Sequence, residues 1–207
     1  MTLYAKNTTA NGIIDSGDAI VYDMTIAEGA SIDTAVTNTV ASGTQIQLTK
    51  TAGGLTVAWI SGRFPAVGGG WGGTLTGLSL AIKALESNMS ANVGLRVRIF
   101  RYQPGTVTEL GGGPFDDGIE LGTTAAEMNF VANVTDQVFS ENDRLLLRTY
   151  LTNIGTMGGG FTATVNFNHV NERTSFVLNE TVAFKAEAAP NFIPRRGSFG
   201  QDGRLRR

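Results

Sequence analysis

The side chains with the most chemical potential in this 207-residue chain are carboxylates. Asp116, Asp117 and Glu120 fall within five residues, and hard oxygen ligands of that kind hold Ca²⁺. The same run, Asp116-Asp117-Gly118, is also a turn sequence, and it lacks the spacing of an EF-hand loop. Glu86, Glu109 and Glu120 are the candidates for a carboxylate pair that would hydrolyse a glycosidic bond, a reaction decided by separation in space, which spacing along the chain does not give. His169 is the sole histidine and follows a polar strand face into a turn, a place that suits a hydrogen-bonded turn residue better than a catalytic base. Without cysteine, thiolate metal sites, disulfides and cysteine nucleophiles are all excluded.

Two further clusters point to binding. Trp71 stands among five glycines, where an indole either folds back as a lid over an open end of the domain, packs on a neighbouring subunit, or stacks on a sugar. Arg96, Arg98 and Arg101 with Tyr102 offer a basic, aromatic strand surface, which an acidic body turns toward acidic protein partners more than toward nucleic acid. The glycine clusters do not make a phosphate loop, because that motif needs a strand before it and a helix after it, and here more strand follows. No cofactor is expected.

The elements that must position these groups are β-strands. Only 16% of residues are charged, against roughly a quarter in ordinary soluble proteins, and Gly contributes 27 positions. Phe161, Ala163, Val165 and Phe167 alternate with Thr162, Thr164, Asn166 and Asn168; Leu95, Val97 and Ile99 alternate with Arg96, Arg98 and Phe100. Leu145, Leu147 and Leu151 point inward while Arg144, Arg148 and Tyr150 point away. Further strands are expected over 19–26, 45–49, 55–61, 75–84, 129–138 and 175–184, and residues 125–128 form either one helical turn or the lead into a strand. Turn signals such as Gly53-Gly54, Gly111-Gly112-Gly113-Pro114 and Gly158-Gly159-Gly160 separate them. This spacing predicts an all-β sandwich over residues 45–186.

Residues 1–44, with weaker alternation, are expected to be an N-terminal arm or accessory strands, so that deleting 1–40 would weaken assembly more than folding. Residues 187–207 read as a basic flexible tail. The net charge of −2 hides an asymmetry, since Arg195, Arg196, Arg204, Arg206 and Arg207 stand against Asp202 alone in the last eighteen residues. That composition suits an arm docking on an acidic groove. The N-terminus shows no signal-peptide pattern and no stretch has the length of a membrane span, so the chain is expected to be made in a cytoplasm and to work off the membrane.

The run Ala91-Asn92-Val93-Gly94-Leu95-Arg96-Val97-Arg98-Ile99-Phe100-Arg101-Tyr102, the Gly-Thr-Val-Thr-Glu-Leu hairpin after it, and Phe139-Ser140-Glu141-Asn142-Asp143-Arg144-Leu145-Leu146-Leu147-Arg148 together resemble the jelly-roll β-sandwich modules of tailed-bacteriophage virion proteins. The resemblance covers about residues 45–185. It implies an antiparallel jelly-roll sandwich with extended terminal arms and a non-enzymatic structural role in the virion: head decoration, head or neck fibre, or tail component. The partners it implies are copies of the same chain, a trimer among the options, and other virion proteins. Trp71, Arg96, Arg98 and the five tail arginines are the expected contact residues. The alternative is a carbohydrate-binding module that recognises a host glycan.

Overall fold

The computed structural model describes residues 1–9, 21–25, 36–40, 55–111, 113–134, 137–155, 161–165, 168–169 and 172–185. These hold sixteen strands: β1 (Thr2–Thr9), β2 (Val21–Thr25), β3 (Val36–Val40), β4 (Leu55–Ile60), β5 (Thr74–Leu75), β6 (Leu78–Glu86), β7 (Val93–Gln103), β8 (Thr106–Glu109), β9 (Phe115–Asp116), β10 (Ala126–Ala132), β11 (Gln137–Val138), β12 (Arg144–Asn153), β13 (Phe161–Val165), β14 (Asn168–His169), β15 (Glu172–Arg173) and β16 (Ser175–Leu178). One 3-10 turn, Met89–Ala91, is capped by the Asn88 side chain, and no helix among the described residues is long and apolar enough to cross a membrane. The fold is all-β, as the alternation requires. The expected strands over 45–49 and the whole basic tail lie outside the described residues.

Twelve strands form one sheet in the order β3-β13-β6-β16-β1-β2-β4-β12-β7-β8, with β10 added beside β6 and β9 beside β7. Its two halves share one core, as in a sandwich. Leu78, Leu80 and Ile82 of β6 and Met128 and Phe130 of β10 meet Leu95, Val97 and Ile99 of β7 and Leu145 and Leu147 of β12 in a single buried cluster. Trp59 of β4 packs on Phe176 of β16 with ring centroids 5.3 Å apart. The alternating faces of β7, β12 and β13 fall as their sequences demand, with Phe161, Ala163 and Val165 inward, whereas Phe167 lies outside the described residues. Residues 125–128 lead into a strand: the pairing of β10 with β6 starts at Ala126 opposite Ala84.

The expectation of a purely antiparallel sheet is corrected. The sheet is mixed, because β2 runs parallel to β4. In the described part of residues 1–44, β1 lies between β16 and β2, and β1 and β2 join the halves of the sheet. Removing residues 1–40 would therefore cut the bridge of the fold itself. Beside β6, β13 and β16 act as one strand with an interruption: Val165 faces Ala84 and Ser175 faces Ala81, so the nine residues 166–174 stand against two on β6. The excursion carries the β14–β15 hairpin, and where it returns the hydroxyl of buried Thr174 accepts the Lys83 N–H at 3.1 Å.

Candidate functional site

Of the described side chains singled out in the sequence, Arg96, Arg98 and Glu109 lie on the outer face of the β12 half, whereas Glu86 and Trp71 are buried. On the outer face of the β12 half, the register places Arg98 opposite Arg148, Arg96 opposite Tyr150, Phe100 opposite Leu146 and Tyr102 opposite Arg144. Four arginines in two adjacent strands would repel one another unless compensated. Compensation comes from the neighbouring short strands: Asp116 of β9 accepts from Arg96 Nε at 3.0 and 3.1 Å and from Nη2 at 2.5 Å, and Glu109 of β8 accepts from Arg98 Nε at 2.8 Å with a second bond from Nη2. The hydrogen bonds to Glu109 hold the Arg98 guanidinium above its ordinary pKa, with Tyr150 adding to the effect. The Arg148 guanidinium lies 4.4 Å from the Phe100 ring centroid and that of Arg98 5.3 Å, an arrangement in which the ring face attracts each cation. Arg144 Nε donates to the Ser61 carbonyl at 2.6 Å.

Gly94 is required beside this layer. A Cβ there would lie 2.6 Å from the Ile119 carbonyl oxygen, where the segment after β9 crosses β7 on its way to the Leu121 N–H bond with Val93. Beneath the charged side chains, Val21, Ala58, Ile60, Phe100 and Leu146 form a second apolar cluster with Tyr102 and Val107 packed against it. Arg101 does not belong to this face. It shares the parity of Ile99 and reaches the Val138 carbonyl at 3.0 Å instead. Arg96 and Arg98 are thus brought together as the sequence analysis expects, but their acidic partners belong to the same chain.

The outer face of the β6 half is different in kind. Its rows run Val131–Ser79–Val177–Thr2 and Asn129–Ala81–Ser175–Tyr4 across β10, β6, β16 and β1, and one charged row, Glu127 beside Lys83, lies at its end. Val131 is 79% exposed and Val177 41%. Sequence reasoning missed this surface; the available signal was that the outward positions of Leu78-Ser79-Leu80-Ala81-Ile82 are small and uncharged.

The carboxylate candidates separate. Glu109 is engaged by Arg98. Glu86 ends the inward row of β6, with both carboxyl oxygens buried and without a hydrogen-bond partner. Burial, with Glu120 nearby, pushes its pKa up to about 7. A carboxyl sealed in this way reaches no sugar, so Glu86 and Glu120 do not form a hydrolytic pair. Asp117 closes a turn by accepting the Ile119 N–H at 3.0 Å, with Gly118 at φ +70°, and burial raises its pKa. No group of three or more acidic or histidine side chains among the described residues suits a metal ion. The backbone of His169 pairs with Glu172.

Trp71 is the lid over one end. It is 4% exposed and packs on Phe64 at 4.9 Å, while Phe64 stacks on Phe139 at 4.4 Å and meets Phe184 edge-on at 5.2 Å. That burial leaves the indole almost no surface for a neighbouring subunit or a sugar, which corrects its expected contact role. Arg195, Arg196, Arg204, Arg206 and Arg207 lie outside the described residues. Neither a scan of protein families nor a search of curated proteins returns a match to this chain.

Proposed function

We propose that the chain is a non-enzymatic structural subunit of a tailed-bacteriophage virion, a jelly-roll sandwich that associates with copies of itself and with other virion proteins. The observation that carries the self-association is the exposed, small-residue, almost uncharged outer face of the β6 half, with Val131 on its edge strand and Val177 within it. Surfaces of this kind lose little desolvation energy when covered, and symmetric oligomers bury them. The place in a virion rests on the resemblance in strand pattern and on the charge-poor, cysteine-free composition. The glycan-binding alternative has little aromatic platform to use, since Trp59 and Trp71 are both buried.

Light scattering of the intact chain tests self-association, and a charge placed on the face by Ala81→Lys is expected to reduce the assembled fraction without lowering the melting temperature by more than a few degrees. Antibody-labelled negative-stain images of particles test the virion assignment: labels absent from intact particles would remove it.

A further inference from the structure

The sheet path ends at β3 beyond β13, and its two other edges, which meet where β9 contacts β10, are built to opposite standards. At the β7 edge stand β8, four residues long, and β9, two residues long, with Gly111 at φ +70° between them and Glu109 and Asp116 on them. Short, interrupted and charged strands are the usual protection against pairing with another chain. At the β6 edge stands β10, seven residues in regular register with β6 from Ala126 to Ala132. It has no proline and no bulge, carries one charge, and makes no backbone hydrogen bond on its far side among the described residues. Ala126, Glu127, Asn129 and Val131 are exposed along it.

We infer that β10 is the pairing edge of the subunit and that its occupant is β10 of a second copy, antiparallel, on a two-fold axis through Asn129. The inference rests on the self-association reading and specifies its contact. The register follows from parity. A two-fold pairing that set an even position opposite an odd one would turn the inward side chains of one copy to the outer face of the other. A two-fold axis through the centre of the strand instead sets Met128 opposite Phe130 of the second copy, both inward, and overlaps all seven residues. The same register suits the charges: Glu127 falls opposite Val131 of the second copy instead of opposite its own equivalent, and Lys83 stays beside it on β6. Asn129 meets its own equivalent on the outer face, where two carboxamides each supply a donor and an acceptor. The result is one sheet running β6-β10-β10-β6 through two copies, with their small-residue faces continuous.

The absence of cysteine makes the test clean. In the full-length chain, Asn129→Cys is expected to give a covalent dimer on mild oxidation or with a short thiol crosslinker, whereas Asn153→Cys, exposed on β12, is expected to give none under the same conditions. Asn129→Lys, which opposes two like charges at the axis while altering only an exposed side chain, is expected to weaken self-association at least tenfold by sedimentation with an unchanged melting curve. An intact chain that remains monomeric at high concentration overturns the self-association reading and this pairing with it. A chain that assembles normally but is indifferent to Asn129→Lys, crosslinks equally at both cysteines, or forms only odd-numbered oligomers overturns the pairing alone.

Discussion

The outer face of the β12 half and the outer face of the β6 half belong to one sheet, yet only the first is completed by its own side chains. Phe100 is 5% exposed although it points away from the main core, because Arg148 and Arg98 lie over its ring and Tyr102 packs at its side. Long side chains with aliphatic stems cover apolar surface while keeping their charged ends satisfied. Ser79, Ala81 and Ser175 on the other half have no such reach, so Val131 stays bare. The difference teaches that a sheet face can be closed from within by arginine, or left to be closed by another molecule by choosing small residues.

The strongest way to break the comparison is a charge beneath each face. Leu146→Asp, on the outer side of β12, is expected to be as damaging as Leu147→Asp or Phe161→Asp in the main core. Each leaves an unpaired buried charge and costs about 4 kcal/mol or more, enough to unfold a protein whose total stability is typically about 5–15 kcal/mol. Ser79→Asp and Thr164→Asp are expected to cost less than about 1 kcal/mol in urea unfolding. If Leu146→Asp were equally mild, the β12 face would be no more closed than the β6 face.

A smaller effect is expected at Glu86, which lies on the inward row shared by both halves. Unfolded, this carboxyl loses its proton near 4.5; folded, it keeps it to about 7. The folded state therefore holds the extra proton between those values, and stability falls as pH rises through that window and remains lower above it. Glu86→Gln is expected to raise the melting temperature by several degrees at pH 8, corresponding to at most about 3 kcal/mol, and to change it little near pH 4. A gain of equal size at both pH values would point to packing as the cause.

The smallest expected effect is at the ion pairs that finish the β12 face. A double-mutant cycle with Arg98→Met and Glu109→Gln should give a coupling of about 1 kcal/mol, and Arg96→Met with Asp116→Asn less, because Asp116 is the more exposed acid at 35% against 29%. Both couplings should shrink in high salt.

Most of the architecture was legible because burial on one side of a sheet imposes period two. The inward leucines of β12, the inward row of β7 and the outward Arg96 and Arg98 all follow from alternation alone. What escaped was whatever depends on the partner strand. Glu86 occupies an inward position that alternation would assign to an apolar residue, and it is tolerated where the row ends and the carboxyl can keep its proton. The parallel pairing of β2 with β4 and the bridging place of β1 depend on long-range order, which local pattern does not encode. Trp71 was ambiguous because surrounding glycines permit a lid and an open platform alike, and only its packing on Phe64, 4.9 Å away in the folded end, decides between them.

The interruption between β13 and β16 has a consequence for variation. Because β6 sets the register of each segment separately, Val165 against Ala84 and Ser175 against Ala81, the length of chain between them does not propagate into the sheet. Residues added to or removed from the β14–β15 hairpin leave the inward rows where they are, provided Thr174 still reaches Lys83. That makes the hairpin a natural port for grafting: a place where a foreign peptide, an epitope or a tag can be carried by the sandwich without asking the core to change.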